Sequence, residues 1–201
     1  MGILTTLDVV NEMLGAMGET GLNSLVNAHP LATRGLNILR TVNSREQGKG
    51  WWFNTEVLEL VPTADKRIIL PDDILKIDPV KPQLNFAQRG KYLYKLVTKR
   101  GENPYSFDGP IEVQIVRLVS FEDLPATAQS LVSISAQLDF ISDMDGDTLK
   151  IDKLTKERRE AQIALNIEHI SAVDANMLLN PSTLATLGSL KGAGTGRLRI
   201  R

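Results

Sequence analysis

The chain has 201 residues, of which 42% are hydrophobic, and its 23 basic and 24 acidic residues leave a net charge of −1. This length and composition fit one globular domain, or one domain with an inserted module. The near-neutral charge argues against a protein that wraps nucleic acid with a basic face. The absence of cysteine excludes disulfides, thiolate catalysis and cysteine-ligated zinc.

The sequence also shows no membrane span and no visible secretory signal. No apolar run reaches the roughly 18 residues that a membrane span requires. The N-terminus has no basic region followed by an apolar stretch, so no secretory signal is visible. We therefore expect a soluble protein that is made in a cytoplasm and does not contact a membrane.

Two helices are predicted in the first 50 residues. The first spans about residues 6–17, with Thr5 or Thr6 capping its first turn and Asp8 near its positive end. The second begins near Pro30, which suits a first helical turn. It is expected to fray in the polar run of residues 43–49. The apolar residues at helical spacing are Leu7, Val10, Leu14 and Met17 in the first helix and Ala32, Leu36, Leu39 and Val42 in the second.

Three consecutive aromatic residues, Trp51, Trp52 and Phe53, stand between this helical region and a strand-like one, and they include both tryptophans of the chain. Each such side chain can bury roughly 150–250 Å². Aromatic residues at a helix-to-sheet junction typically form a wedge between two layers. We interpret the cluster as a structural hinge.

Between residues 52 and 119 the hydrophobic period changes to that of strands. Residues 111–119 alternate in polarity, and residues 92–97 form a second predicted strand. Turn signals occur at Asn103-Pro104 and Asp108-Gly109-Pro110. We predict a small antiparallel sheet with long exposed loops.

The helical period returns after Pro125. The first helix here carries apolar residues over a wide arc, which predicts a central helix buried on two sides. Asp145-Gly146-Asp147 ends it, and a long helix follows over about residues 148–179. The first half of the long helix is charged, whereas its second half carries a series of apolar residues: Ile163, Ile167, Ile170 and Val173. Such a helix is expected to project from the core or to line a subunit interface.

The C-terminal residues 181–201 are rich in glycine and end in Arg197-Leu198-Arg199-Ile200-Arg201. Three arginines are few for strong nucleic-acid binding at physiological salt. Their alternation with apolar residues suits insertion as a strand or plug into a groove of another chain. We favour this docking interpretation over nucleic-acid contact.

No pattern in the sequence indicates catalysis or metal binding. Asp145 and Asp147 resemble part of a calcium loop, but that register places Ile141 where a carboxylate is required. His29 and His169, the only histidines, have no visible catalytic partner, so both are predicted to be structural. We therefore expect no catalytic residue, cofactor or metal.

An ordered series of short motifs resembles the tail tubular protein A family of short-tailed bacteriophages over about residues 7–180. The motifs are Val10-Asn11 with Leu14 and Met17-Gly18-Glu19, Gly50-Trp51-Trp52-Phe53-Asn54, Leu70-Pro71-Asp72-Asp73-Ile74-Leu75-Lys76-Ile77-Asp78-Pro79, Tyr92-Leu93-Tyr94-Lys95, Phe121-Glu122-Asp123-Leu124-Pro125 and Asn176-Met177-Leu178. The resemblance implies a structural head-to-tail adaptor, or gatekeeper, in the virion tail, assembled in the host cytoplasm. It further implies a dodecameric ring that contacts the portal protein, the tail nozzle (tubular protein B) and the tail fibres. Double-stranded DNA would pass through the lumen without sequence-specific binding.

The predicted fold class is α+β. It consists of an antiparallel helix bundle (residues 1–50 and 121–180), an inserted small antiparallel β module (residues 51–120) and an extended docking tail (residues 181–201). One alternative function is a glycan hydrolase associated with the phage tail, which would need converging carboxylates among Glu56, Glu59, Asp72 and Asp73. The other is a DNA-binding assembly factor, which would need a basic face.

Overall fold

A computed structural model describes residues 4–26, 29–81 and 85–178. The described chain is an α+β protein, as predicted. Its elements in order are α1 (Thr6–Ala16), α2 (Pro30–Gln47), β1 (Thr55–Leu60), β2 (Ile74–Pro79), β3 (Phe86–Arg89), β4 (Tyr92–Lys95), β5 (Ile111–Arg117), a short 3-10 helix (Phe121–Asp123), α3 (Ala126–Met144) and α4 (Thr148–Leu178).

Helix α3 is the central helix of the bundle, which confirms the prediction from its wide apolar arc. It packs against α1, α2 and α4. Leu131 and Phe140 are fully buried along it, and Trp51 belongs to the same hydrophobic cluster. One apolar core therefore holds the four helices and the aromatic junction together.

Local signals place the helix ends. Thr5 caps α1, and its hydroxyl and the Asp8 carboxylate form a reciprocal capping box. His29 caps α2, where its ring Nδ1 accepts a hydrogen bond from the Leu31 N–H at 3.3 Å. Gly146 adopts a φ of 67° between α3 and α4, a conformation that favours glycine because it lacks a Cβ. The Asp147 carboxylate then accepts a hydrogen bond from the Leu149 N–H at 2.9 Å, which caps α4.

The strands form two antiparallel sheets instead of the single sheet that the sequence predicts. The first has the order β1-β5-β2, and the second is the hairpin β3-β4. Strand β5 is central because it pairs with both β1 and β2, and its Val113 and Ile115 are fully buried. These side chains belong to a second hydrophobic cluster, which also contains Ile68, Leu70, Phe86, Leu93 and Phe107.

Helix α2 was expected to fray into the polar run before Gly48, but it is regular helix as far as Gln47. Asn43, Glu46 and Gln47 are buried. Counting from Leu39, positions 43, 46 and 47 continue the apolar stripe at helical spacing, so these polar side chains face inward. Their burial requires hydrogen-bonding partners.

Helix α4 is as long as the sequence predicts. Its 31 residues correspond to about 46 Å at about 1.5 Å per residue. No helix in residues 4–26, 29–81 and 85–178 combines the length and apolarity needed to cross a membrane. The extended tail predicted at residues 181–201 lies outside the described residues.

Candidate assembly surfaces

The helix-to-sheet junction is built on Trp51. This side chain is only 6% exposed, and its indole N–H donates a hydrogen bond to the Glu46 carbonyl at 2.9 Å. Trp52 and Phe53 are half-buried against the same core, with their rings edge to face at 5.1 Å. Trp51 is therefore the member of the predicted hinge that contributes most to the core.

Three buried side-chain amides, those of Asn43, Gln47 and Asn54, link α2 by hydrogen bonds to the end of β5 and the residues that follow it. The Gln47 side chain donates to the Val119 carbonyl at 2.8 Å and accepts from the Val119 N–H at 2.8 Å. It also donates to the Asn43 side-chain oxygen at 2.8 Å. The Asn54 amide donates to the Arg117 carbonyl at 2.9 Å and to the Gln47 carbonyl at 3.1 Å. Through these bonds the amides saturate backbone groups on both sides of the junction.

A buried carboxylate joins α2 to α4 near the same junction. Glu46 is 2% exposed and forms ion pairs with Lys49, with Arg45 at 3.6 Å and with Arg158 of α4 at 3.5 Å. Arg158 also donates to the Ser135 hydroxyl of α3 at 3.0 Å. Several cations therefore compensate the buried charge and connect three helices.

His169 of α4 covers the tryptophan pair from the other side. Its ring lies edge-on to Trp51 at 5.5 Å between centroids and tilted against Trp52 at 6.0 Å. A cavity of about 390 Å³ beside these rings is also lined by Lys76 and Val173. The sequence prediction that His169 is structural agrees with this packing position.

The outward face of α4 carries an exposed apolar stripe, which we define as Ile163, Ile167 and Ile170. Their side chains are 50%, 64% and 57% exposed. Leu154 and Leu165, on the opposite side of the helix, are buried in the bundle core. Exposed large apolar residues grouped on one face are typical of interaction surfaces.

A groove lies between α2 and the segment that leads into α3. Its volume is about 390 Å³, and its lining includes Leu36, Leu39, Arg40, Leu118, Phe121 and Glu122. Glu122 accepts hydrogen bonds from the Thr6 hydroxyl and from the Thr6 N–H at 3.1 Å. The hydroxyl contact, with the backbone bond, holds the pKa of Glu122 below its ordinary value. One carboxylate thus stays ionised at the rim of a groove with apolar walls.

Lys150 forms ion pairs with the acidic loop between α3 and α4. The Lys150 ammonium lies 2.7 Å from the Asp145 carboxylate and 3.9 Å from that of Asp147. Its contact with Asp145 raises the pKa of Lys150. Lys150 therefore offsets part of the negative charge of this loop, which connects the two helices.

The four carboxylates considered for a hydrolase do not converge as a catalytic set. Glu56 and Asp73 both contact the guanidinium of Arg117, Asp73 at 2.6 Å. Asp72 instead pairs with Lys91 at 2.9 Å, and Glu59 lies in register with Glu112 on β5. Glu56 and Asp73 form a structural ion-pair network across the sheet.

Sequence reasoning identified some of these residues and missed others. It singled out Trp51, Trp52 and Phe53 and the apolar residues of α4. It missed the buried polar residues Glu46 and Gln47, although their helical phase relative to the apolar stripe of α2 was a usable signal. The residues predicted to dock onto the portal, Arg197, Leu198, Arg199, Ile200 and Arg201, lie outside the described residues.

Two comparisons with known proteins point to the same family. Residues 7–174 match the model of a family described as tail tubular protein. The chain is also 31% identical, over 144 residues, to the tail tubular protein A of Klebsiella phage KP34. That alignment covers 71% of this chain and 75% of the Klebsiella phage protein.

Proposed function

We propose that this chain is a head-to-tail adaptor. It belongs to the tail tubular protein family and is thus a structural component of a phage virion tail. As a ring between the portal and the tail nozzle, it would retain packaged DNA and let that DNA pass through its lumen at ejection. The expected ring is a dodecamer that also anchors the tail fibres. Assembly would occur in the host cytoplasm.

The observation that carries this proposal is the outward apolar stripe of α4. The 31-residue α4 is longer than the 19-residue α3 on which it packs, and its isoleucines face away from the core. Such a surface is suited to contact with other protein subunits. It fits a connector, whose role is to hold other proteins in place.

The two hydrophobic clusters support a division of the subunit into two structural parts. One holds the helices and the other holds the strands, so we propose a helical bundle (residues 1–50 and 121–180) and an inserted β module (residues 51–120). Trp51, Trp52 and Phe53 would form the hinge between them. The helices would then face the portal, and the sheets would face the nozzle and fibres.

We also propose that the tail of residues 181–201 docks onto the portal. Arg197, Arg199 and Arg201 would supply charged contacts, and Leu198 and Ile200 would supply apolar ones. The support for this proposal is the alternation of the two residue types.

The experiment that tests the proposed function uses DNA-filled heads from a phage deleted for this gene. Purified protein is added to the heads, and nuclease sensitivity of the DNA and recruitment of the nozzle protein are measured. We expect the protein to bind at the portal, protect the DNA and allow the nozzle to attach. Heads that neither bind the protein nor recruit the nozzle in its presence would contradict the adaptor function.

A further inference from the structure

We propose that neighbouring copies of this chain join head to tail, with the α4 stripe of one copy seated in the α2 groove of the next. The α4 stripe is Ile163, Ile167 and Ile170. The α2 groove is the one walled by α2 and residues 118–122. This inference rests on the proposed ring and identifies the two surfaces that would build it.

The α4 stripe has no partner within the described part of its own subunit. Helix α4 packs along α3 through its other side, where Leu165 is 1% exposed. Ile167 is 64% exposed although isoleucine is among the residues most often buried. The three isoleucines are spaced by four and three residues, so they form one continuous row on the helix surface.

The α2 groove has the apolar walls that such a row requires. Leu36 of α2 and Leu118 are its partly exposed apolar residues, and Leu39 and Phe121 also line it, although they are only 2% and 5% exposed. Leu118 is 40% exposed, so an apolar side chain that entered the groove would cover it. No residue of α4 lines this groove. The two surfaces therefore belong to different parts of the subunit.

The charges around the two surfaces are complementary. Arg40 stands at the groove and is exposed, and the ionised Glu122 lies at its rim. Exposed charges also flank the α4 stripe: Arg159 and Glu160 lie before Ile163, and Asp174 lies after Ile170. A helix that enters the groove with its C-terminal end toward Arg40 can place the Asp174 carboxylate beside that guanidinium. Such pairing fixes the direction of the helix in the groove.

The area available favours a groove over pairing between two identical α4 stripes. The stripe spans eight residues, about 12 Å at about 1.5 Å per residue, and with a width of about 10 Å it presents about 120 Å². Stable interfaces bury about 800 Å² on each partner. Two crossed helices would bury less than this, whereas a helix in a groove contacts both walls and the floor. The second copy is therefore expected to present its groove.

Two different surfaces in contact make a heterologous interface, which extends from copy to copy and forms the proposed ring when the rotation between neighbours closes. Each subunit then uses its α4 stripe on one side and its α2 groove on the other. Charge-bearing substitutions can block either surface separately. Ile167→Glu blocks the stripe and Leu118→Glu blocks the groove, while Leu149→Glu on α4 is the matched control because Leu149 is 79% exposed and lies outside the stripe.

The first measurement is the mass of each variant by native mass spectrometry, with circular dichroism as a check that each variant is folded. We expect wild type and Leu149→Glu to form rings, and each of the other two variants to remain a monomer. A mixture of Ile167→Glu and Leu118→Glu should form a one-to-one dimer and stop there. This follows because one intact stripe meets one intact groove and both remaining surfaces are blocked. Rings formed by either blocked variant alone, or a mixture that stays monomeric, would overturn the inference.

The second measurement uses the absence of native cysteine, so it does not depend on a variant that loses assembly. The double variant Ile167→Cys with Leu118→Cys is assembled on portal-bearing heads and treated with a short bis-maleimide. We expect a ladder of cross-linked copies, whereas each single-cysteine variant stays a monomer. Dimers from Ile167→Cys alone would show that identical stripes meet and would overturn the inference.

The same experiment separates failure of the inference from failure of the proposed function. If the double variant joins heads and supports nozzle attachment but gives no ladder, the stripe-in-groove contact is wrong and the adaptor function stands. If wild type assembles neither in solution nor on heads, the ring and the adaptor function both fail.

Discussion

Replacing Trp51 by alanine should destabilise the fold far more than the same change at Trp52. Trp51 is 6% exposed and lies in the helical core, so removing it leaves a cavity. Large aromatic-to-alanine changes in cores cost about 3–5 kcal/mol. The change also removes the indole N–H that the Glu46 carbonyl accepts at 2.9 Å, which places the expected loss near the upper end of that range.

Trp52 is half-buried, so its replacement should cost about half as much, since the loss scales with the apolar area removed from water. The conservative change Trp51→Phe retains most of the ring and removes the hydrogen bond, at a cost of about 1 kcal/mol. The assays are urea unfolding and thermal melting, both followed by circular dichroism. For a chain of this length the Trp51→Ala loss should lower the melting temperature by about 6–20 °C. A Trp52→Ala loss equal to or greater than that of Trp51→Ala would refute the reasoning.

Three further predictions concern the junction, the groove and the tail. Gln47→Leu should cost about 1–3 kcal/mol in urea unfolding, because it leaves the Val119 N–H without its acceptor while Asn43 still donates to the Val119 carbonyl; an unchanged midpoint would contradict this. Glu122→Gln should lower stability at pH 7 by less than about 1 kcal/mol, since the site is exposed. That difference from wild type should shrink as the pH falls through the lowered pKa of Glu122, so a difference that grew on acidification would have the wrong sign. Deleting residues 187–201 should leave the melting temperature of the subunit almost unchanged and abolish attachment to portal-capped heads, so normal attachment of the truncated protein would exclude the tail as the docking element.

The helices could be predicted because their signals are local. Thr5 and Asp8 cap α1 through side chains three residues apart, and Gly146 separates α3 from α4 with a positive φ. Spacing also predicted the apolar residues on α4. These features depend on a few consecutive residues, which a sequence displays directly.

The pairing of the strands could not be predicted in the same way. Strand β5 pairs with β1 and with β2, and the partner residues Thr55 and Val116 are far apart in the chain. Such pairing depends on how the whole module packs, and no turn motif joins the partners. The hairpin β3-β4 is different because Gly90 supplies its turn locally.

The buried polar residues of the junction were not predicted, because polar residues are usually exposed. Gln47 and Asn54 are buried because each satisfies several backbone groups at once. The α2 groove was missed for a different reason. Leu36 and Leu118 are distant in sequence and meet only when the segment after β5 returns to the bundle.

The most direct test of the adaptor function is electron cryomicroscopy of portal-bearing heads that have been incubated with the purified protein. We predict a closed ring of this chain at the portal vertex, with its helices toward the head, its β module away from the head and an open lumen on the axis. Density for the protein elsewhere on the particle, or bound subunits that form no closed ring around the portal axis, would contradict it.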